Sequence, residues 1–239
     1  MEKKKLISFI DKYHLAGNAN SVKLEIKDKT MHCKFITDDQ NVIGSVTMKG
    51  FDVDDCILGV YATSQLTKLL TALDNEIDLK INKSNSSAFS INVSDKTTKV
   101  TFMLADLSVI RQVPDLKNTP DWNVTFELTD TFADKFIKSK NALPETENFA
   151  VQSNNGVTEM ILNYSTLNTN RITWPIKLDN TPADLSATCF SANLFKEILQ
   201  ANKGCEYGEL NVSSAGLAKV VFKHTDGESV YYLVQLQAS

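Results

Sequence analysis

One order of hydrophobic and polar positions recurs about four times along the chain, and it is clearest in the last third. There, a short apolar segment precedes an amphipathic stretch, and three segments of alternating hydrophobicity follow. In the amphipathic stretch the apolar residues recur at helical spacing, which predicts a helix that buries one side. Ser191 is a suitable N-cap and Gly204 a suitable C-cap for this helix. The buried side is formed by Leu194, Phe195, Ile198 and Leu199.

Three further amphipathic stretches predict helices at about residues 3–13, 63–73 and 130–140. Each has a narrow apolar stripe at helical spacing. Thr129 is a plausible N-cap for the third of them. The stripes are Leu6, Ile7, Ile10 and Tyr13; Leu66, Leu69, Leu70 and Leu73; and Phe132, Phe136 and Ile137.

The remaining segments predict β-strands, because most have a two-residue period or a short apolar run. Pro175 indicates an edge position for the strand that contains it, since proline cannot donate to a neighbouring strand. The strand segments outside the last third are 21–27, 30–36, 41–49, 56–61, 76–82, 88–94, 99–104, 122–129, 148–153, 157–164 and 171–178.

These elements predict an α+β protein of two similar domains, each built from two strand–helix–three-strand units. The first strand of the first unit is missing or very short. Pro114 and Pro120 interrupt the pattern in a segment where a regular helix or central strand is disfavoured. We therefore expect an N-terminal domain over 1–104, an interdomain connector over 105–121 and a C-terminal domain over 122–239.

Composition narrows the function classes. Hydrophobic residues make up 42% of the chain, which is ordinary for a packed protein, and no apolar run reaches the roughly 18 residues of a membrane span. The four cysteines lie far apart without a Cys-x-x-Cys pair, as in a cytoplasmic protein with reduced thiols. The net charge of −4 argues against a protein that grips nucleic acid with its whole surface.

Positive charge is nevertheless concentrated on the predicted helices. The stretches 2–13, 63–73, 130–140 and 192–203 contain ten lysines and five acidic residues, so the helices carry +5 and the remainder −9. A lysine-rich side is ordinary for one exposed helix, but four such helices suggest a face for a polyanion. The lysines expected on that face are Lys4, Lys5, Lys12, Lys68, Lys135, Lys138, Lys196 and Lys203.

Residues that could carry catalysis are scattered. The histidines His14, His32 and His224 fall in separate units, so neither a catalytic triad nor a zinc site is indicated. The acidic group at 52–55 precedes an apolar strand, where acids commonly mark a solvated turn. No Gly-x-x-x-x-Gly-Lys phosphate loop occurs. We expect no enzyme activity, no catalytic residue, no bound metal and no cofactor.

The chain resembles the DNA polymerase sliding clamps, most closely the trimeric clamp of T-even-type bacteriophages and more distantly the eukaryotic proliferating cell nuclear antigen (PCNA). The resemblance covers essentially the whole chain. It rests on the four-unit order and on three stretches: FDVDDCILGVYATSQLTKLL at 51–70, FMLADLSVIRQVP at 102–114 and ESVYYLVQL at 228–236.

The resemblance implies a DNA-clamp fold in which helices line a ring and sheets form its outer wall. It implies a head-to-tail homotrimer that encircles duplex DNA without reading sequence and acts as a processivity factor. The joining edges would be near 99–103 of one subunit and 171–176 of the next. Implied partners are the replicative DNA polymerase, an ATP-dependent clamp loader and a late-transcription factor, in the cytoplasm of an infected bacterial host for a phage-encoded clamp.

In such clamps a partner's hydrophobic peptide inserts beside the connector. The residues implied for that pocket are Val109, Ile110, Val113, Val234 and Leu236. Each could instead simply pack the domain junction. Two other functions also fit parts of the sequence: a β-rich structural ring subunit of a virion, and a monomeric processivity factor. The lysine bias of four helices argues against the first, and the modest total of positive charge argues against the second.

Overall fold

The computed structural model describes residues 1–85, 87–116, 118–167, 169–178 and 184–236. These residues form four α-helices and fifteen β-strands. The helices are α1 (Lys3–His14), α2 (Thr63–Leu70), α3 (Asp130–Ala142) and α4 (Ala192–Ala201). The strands are β1 (Val22–Lys27), β2 (Thr30–Ile36), β3 (Val42–Lys49), β4 (Cys56–Val60), β5 (Asp78–Ser84), β6 (Ser87–Ser94), β7 (Lys99–Met103), β8 (Val124–Glu127), β9 (Asn148–Asn154), β10 (Val157–Leu162), β11 (Ile172–Ile176), β12 (Leu185–Ser191), β13 (Tyr207–Ser213), β14 (Leu217–His224) and β15 (Gly227–Val234).

The chain divides into two compact units. The first contains Met1–Pro114 with Asp226–Ser229, and the second contains Asp115–Thr225 with Val230–Ser239. The division falls inside the expected connector, whose described residues contain a 3-10 turn at Leu107–Val109 and no α-helix or strand. The short return of residues 226–229 to the first unit has no signal in the sequence pattern.

Both units have the same order of elements. The second unit runs β8–α3–β9–β10–β11–β12–α4–β13–β14–β15. The first runs α1–β1–β2–β3–β4–α2–β5–β6–β7, and a single bridge between Glu2 and Glu76 stands where its opening strand would be. The prediction of a repeated strand–helix–three-strand unit with a very short first strand is thus confirmed.

Each unit contains two sheets with matching strand orders. In the first unit the orders are β4–β1–β2–β3 and β5–β6–β7; in the second they are β12–β9–β10–β11 and β8–β13–β14–β15. Aligning the two units makes β3 equivalent to β11 and β7 equivalent to β15. The strand β11, which contains Pro175, lies at the edge of its sheet, as its proline indicated.

Local sequence signals explain where the helices of the second unit begin. The Thr129 hydroxyl accepts a hydrogen bond from the Phe132 amide at 3.2 Å, and the Ser191 hydroxyl accepts one from Leu194 at 3.3 Å. Both are side-chain caps that satisfy an otherwise unpaired amide. Gly204 has the left-handed backbone expected of a helix stop, with φ of 77°. It lies two residues beyond the C-cap residue, Asn202.

An aromatic cluster forms the core of the second unit. Phe136 on α3 is fully buried and lies 4.8 Å, centroid to centroid, from Phe195 on α4. Phe149 on β9 stacks on Phe195 at 4.7 Å and meets the edge of Phe136 at 5.4 Å. Trp174 on β11 closes the cluster at 6.3 Å from Phe136. The cluster ties both helices to one sheet through contacts that favour edge-to-face and offset geometries.

A close approach between two backbones sets the path of the chain after β7. The Ala105 amide donates to the Gly59 carbonyl oxygen at 2.9 Å. A Cβ atom on Gly59 would lie 2.5 Å from the Ala105 oxygen, so only glycine fits there without a shift. Gly59 thereby holds the start of the connector against β4.

The four cysteines are free thiols, and Cys33 is buried. Burial raises the pKa of the Cys33 thiol well above its ordinary value. Among the described residues, no helix combines the length and the apolar character that a bilayer crossing demands.

Candidate nucleic-acid and subunit interfaces

The two helices of each unit lie side by side. In the first unit, His14 Nε2 on α1 lies 2.9 Å from Ser64 Oγ on α2. In the second unit, Lys203, which follows α4, reaches Asp134 on α3 with its Nζ 3.0 Å from Oδ1. The exposure of the predicted helix lysines can therefore be compared within each pair of helices.

Seven of the eight predicted lysines retain access to solvent. Lys12 does not: its side chain is only 4% exposed. The expectation that Lys12 faces outward is therefore wrong. Its Nζ turns back along α1 and donates to Ser8 Oγ at 2.7 Å and to the Ser8 carbonyl oxygen at 3.3 Å. The helical pattern placed Ser8 and Lys12 together correctly, but they bond to each other on a covered part of the helix. The exposed lysines are Lys4, Lys68, Lys135, Lys138 and Lys203, and the half-buried ones are Lys5 and Lys196.

Carboxylates neutralise part of this charge. Lys5 lies 2.8 Å from Asp226, and Lys196 lies 3.8 Å from Glu197. The hydrogen bond from Lys203, assisted by its charge, lowers the pKa of the Asp134 carboxyl below its usual range. The Lys203–Asp134 pair is exposed and therefore weak, so an incoming phosphate can compete for Lys203.

Within the described ranges, four of the exposed lysines have no carboxylate oxygen within the 4.0 Å of an ion pair. Lys135 Nζ lies over the Trp174 ring at 5.2 Å, which orients the side chain while leaving its charge accessible. Each unit therefore offers a small number of loosely held cations on its helices. These four are Lys4, Lys68, Lys135 and Lys138.

The strands β7 and β11 are the last strands of their sheets. Their equivalents in the other unit are β15 and β3. Within the first unit the start of β15 lies against β3, where the Lys49 amide donates to the Asp226 carbonyl oxygen at 2.8 Å. Because β15 and β3 are already in contact, the repeat leaves their counterparts, β7 and β11, as the corresponding pair of sheet edges. An edge strand presents unpaired backbone groups to a neighbouring chain.

An apolar groove adjoins the β7 edge. It has a volume of about 580 Å³ and lies between α2, β7 and the start of the connector. Tyr61 is 63% exposed in it, Met103 64% and Val109 60%. Exposed apolar side chains grouped beside a free strand edge are typical of an interaction surface. Tyr61 and Met103 were not singled out from the sequence. The alternation of Lys99–Met103, which buries Val100 and Phe102, could have identified Met103 as an outward-facing apolar residue.

Comparison with known proteins adds the fold to these local features. No protein-family model matches the chain, and no curated protein matches it in sequence. Solved structures do match. A subunit of the PCNA2–PCNA3 complex of Sulfolobus tokodaii has a TM-score of 0.74 at 12% identity, covering 98% of this chain and 97% of the other. The PCNA of A. fulgidus, solved with the C-terminal region of FEN-1, has a TM-score of 0.74 at 13% identity, covering 100% and 98%. The PCNA of Entamoeba histolytica has a TM-score of 0.72 at 14% identity, covering 99% and 96%.

The chain has the PCNA clamp fold. The expected DNA-clamp architecture is therefore confirmed over nearly the whole chain. The similarity to PCNA structures does not favour the alternative that the chain is a structural ring subunit of a virion.

The residues expected for a partner pocket do not form one cluster in the first unit of the clamp fold. Val109 lines the groove beside β7, whereas Val113 lines a different groove on the β1–β4 sheet. Ile110 is only 3% exposed, which fits the alternative that its side chain packs rather than contacts a partner. In the second unit, Val234 is 43% exposed and Leu236 is half-buried.

The three histidines have local hydrogen-bond partners. Burial lowers the pKa of His14, which lies beside Ser64. His32 Nδ1 lies 3.0 Å from Thr47 Oγ1, and His224 Nε2 lies 3.1 Å from Asn202 Oδ1. Across the described part of the chain, no group of three or more His, Cys, Asp or Glu side chains is arranged to hold a metal ion.

Proposed function

We propose that the protein is a sliding clamp, a processivity factor that encircles duplex DNA as a head-to-tail homotrimer and tethers the replicative polymerase. It is a scaffold rather than an enzyme. The proposal combines the PCNA clamp fold with three surfaces of this chain: the exposed helix lysines, the free edges of β7 and β11, and the apolar groove beside β7.

The observation that carries the proposal is the internal repeat. Within the first unit, the start of β15 lies next to β3. The equivalent strands, β7 and β11, lie at sheet edges and are available to pair with a second copy of the chain. A contact between two different edges is heterologous, and copies joined in this way close into a ring when the rotation permits. The Sulfolobus tokodaii structure, a complex of two PCNA proteins, is a precedent for binding between clamp subunits. The number three rests on the likeness to T-even-type phage clamps.

The lysine distribution supports encirclement rather than tight binding. A few loosely held cations per subunit give weak attraction to phosphates that does not depend on sequence. Outside these helices the chain carries −9, for an overall charge of −4, and this acidic remainder disfavours a DNA contact elsewhere. A weak attraction permits the protein to slide along DNA, and the closed ring would keep it from leaving the DNA.

The proposal also includes partners. The A. fulgidus PCNA was solved with the C-terminal region of FEN-1, and we infer that this chain likewise docks peptide segments of its partners. The partners proposed are a replicative polymerase, a clamp loader that supplies ATP hydrolysis and, for a phage-encoded clamp in an infected bacterium, a late-transcription factor. Val234 and Leu236 remain candidates for the docking contact.

The contribution of the helix lysines is tested by salt dependence. Replacing Lys68 and Lys138 with alanine should weaken binding to a short linear duplex. The plot of log K against log salt should flatten by about 0.9 for each lost phosphate contact. The measurement is fluorescence anisotropy of a labelled duplex at several salt concentrations.

Lys27→Ala is the matched control, because Lys27 is an exposed lysine on the side of β1 opposite the buried residues of that strand. It should leave the slope unchanged. An unchanged slope in the Lys68/Lys138 variant, or an equal change in the control, would remove the helices from the DNA-facing surface.

A further inference from the structure

Strand β7 directs the backbone groups of alternate residues to its free sheet edge. In an antiparallel pair, alternate residues bond the neighbouring strand and the residues between them point away from it. The Leu104 amide donates to the Phe89 carbonyl oxygen at 2.9 Å, in register with the pairing of β6 and β7. The even-numbered residues of β7 therefore bond β6. The residues that direct their amides and carbonyls to the free edge are Lys99, Thr101 and Met103.

A proline interrupts the corresponding set of backbone groups on β11. The Asn163 amide donates to the Asn148 carbonyl oxygen at 3.0 Å, in register with the pairing of β9 and β10, so the even-numbered residues of β10 point to β11. They lie opposite the even-numbered residues of β11. Thr173 and Pro175 therefore point to the other side, where β11 is the last strand of its sheet among the described residues. Because proline has no N–H, Pro175 offers this edge a carbonyl and no donor.

The equivalent strands, β3 and β15, show how such edges pair. The Lys49 amide donates to the Asp226 carbonyl oxygen at 2.8 Å, and a Cβ atom on Gly227 would lie 3.0 Å from Met48 Cα. A step forward at the start of β15 is thus a step back along β3. The two strands are therefore antiparallel at this contact, and the contact defines their register.

This register can be transferred to the free edges through the repeat. The antiparallel order continues with Thr47 opposite Glu228. Thr47 is equivalent to Pro175, because each lies opposite the third residue after the two-residue turn of a hairpin. These third residues are His32 on β2 and Glu159 on β10.

On β7, Lys99 takes the place of Glu228, since each directly precedes the first buried residue of its strand. The register therefore puts Lys99 opposite Pro175 and, two residues along, Thr101 opposite Thr173. All four of these side chains are exposed. Because opposite residues share a face, pairing in this register leaves the buried faces of the two sheets on the same side.

We propose that β7 of one subunit pairs with β11 of a second copy in this register, and that Pro175 makes the junction between subunits easier to open than its counterpart within the chain. The inference rests on the proposed ring. At the counterpart, Thr47 has an amide that faces β15, whereas at the subunit junction Pro175 leaves the Lys99 carbonyl without a donor. Thr101 and Thr173 can still exchange both of their backbone hydrogen bonds. A junction that lacks one hydrogen bond gives the ring a defined place to open around DNA.

Disulfide formation between subunits tests the register. In the proposed pairing the Cα atoms of Thr101 and Thr173 are about 5.5 Å apart, within the reach of a disulfide, whereas a two-residue slip separates them by about 7–8 Å. Mild oxidation of the Thr101→Cys/Thr173→Cys variant should therefore join subunits faster than oxidation of Met103→Cys/Thr173→Cys or Lys99→Cys/Thr173→Cys. The unmodified protein controls for the native cysteines.

The possible failures of this test differ in meaning. Faster joining by one of the other two cysteine pairs would overturn the register and leave the ring intact. If no cysteine pair joins subunits, the two edges do not meet, and the ring itself is contradicted together with the register.

The role of Pro175 is tested by the rate of subunit exchange. Pro175→Ala restores an amide opposite Lys99, and one more hydrogen bond at each junction should slow exchange about fivefold or more. Exchange is followed by energy transfer after donor-labelled and acceptor-labelled proteins are mixed. Loss of a proline also loosens the unfolded chain, but that effect lowers the stability of the fold and would not slow exchange.

Pro144→Ala is the matched control, since Pro144 is an exposed proline of the same unit in the turn after α3. It should leave the exchange rate unchanged. Exchange that is equally fast or faster in Pro175→Ala would overturn the proposal. A mass above that of the unmodified assembly would also overturn it, because Pro175 would then serve to block unwanted pairing at the edge.

Discussion

Replacing Tyr61 and Met103 together with glutamate should dissociate the assembled protein into monomers. Both side chains are more than 60% exposed in the apolar groove beside β7, at 63% and 64%. Two charges there would have to be desolvated against a neighbouring subunit, and apolar contacts at the centre of an interface are each worth about 2 kcal/mol or more. The dissociation constant of the ring should rise about a thousandfold or more.

Light scattering after size-exclusion chromatography measures this directly. The unmodified protein should have three times the 26.6 kDa mass of one chain, and the variant should have the mass of one chain. Leu167→Glu is the matched control, because Leu167 is 74% exposed on a loop of the second unit. It should leave the mass unchanged. The melting temperature of the variant should also be close to that of the unmodified protein diluted until it is monomeric, since neither side chain belongs to a core. A variant that still has the full assembled mass would exclude this groove from the interface.

Phe136→Ala should lower the free energy of unfolding of the second unit by about 3–5 kcal/mol. Phe136 is fully buried and contacts Phe149, Phe195 and Trp174. Its removal leaves a cavity among rings that belong to one other helix and two strands, so the neighbours can close it only in part. Urea unfolding followed by tryptophan fluorescence is the appropriate measurement, because both tryptophans, Trp122 and Trp174, lie in the second unit.

Ile137→Ala provides the comparison for this prediction. Ile137 neighbours Phe136 on α3 but is half-buried, so its loss should cost clearly less. An equal cost at the two positions would mean that the aromatic cluster is not the core of this unit. Because the two units can unfold separately, only the transition reported by the tryptophans is compared.

The order of helices and strands could be predicted from the sequence because most elements have a helical or two-residue period or a short apolar run. The apolar stripe of α4 is sufficient to predict that helix, and the alternation of β1 is sufficient to predict that strand. The side-chain caps of α3 and α4 could be predicted because each joins residues that are close together in sequence. The whole-chain likeness to clamps followed from that order. Residue-level exposure could not be predicted in the same way. Lys12 occupies the polar side of α1 by spacing, yet it is buried because what covers a helix is decided by tertiary packing.

The candidate sites show the same limit. The connector was predicted from its prolines, and its apolar residues were indistinguishable in sequence. The structure buries Ile110 and exposes Val109. The side to which the backbone of Pro175 points depends on strand register, and register is a property of two strands rather than one. Tyr61 and Met103 lie 42 positions apart in sequence and meet only in the folded groove.

The measurement that tests encirclement most directly is retention on circular DNA after the ring has been sealed. Thr101 on β7 and Thr173 on β11 are exposed on the two free edges, and cysteines there can be joined by a flexible bismaleimide. The double variant is equilibrated with circular duplex DNA, sealed and washed in roughly 1 M salt, where charge contacts are screened beyond about 3 Å. The unmodified protein, treated identically, controls for its native cysteines. The account predicts that sealed protein stays on the circle through the wash and is released when the circle is cut once. Equal retention on circular and linear DNA, or none on either although the rings are sealed, would contradict it.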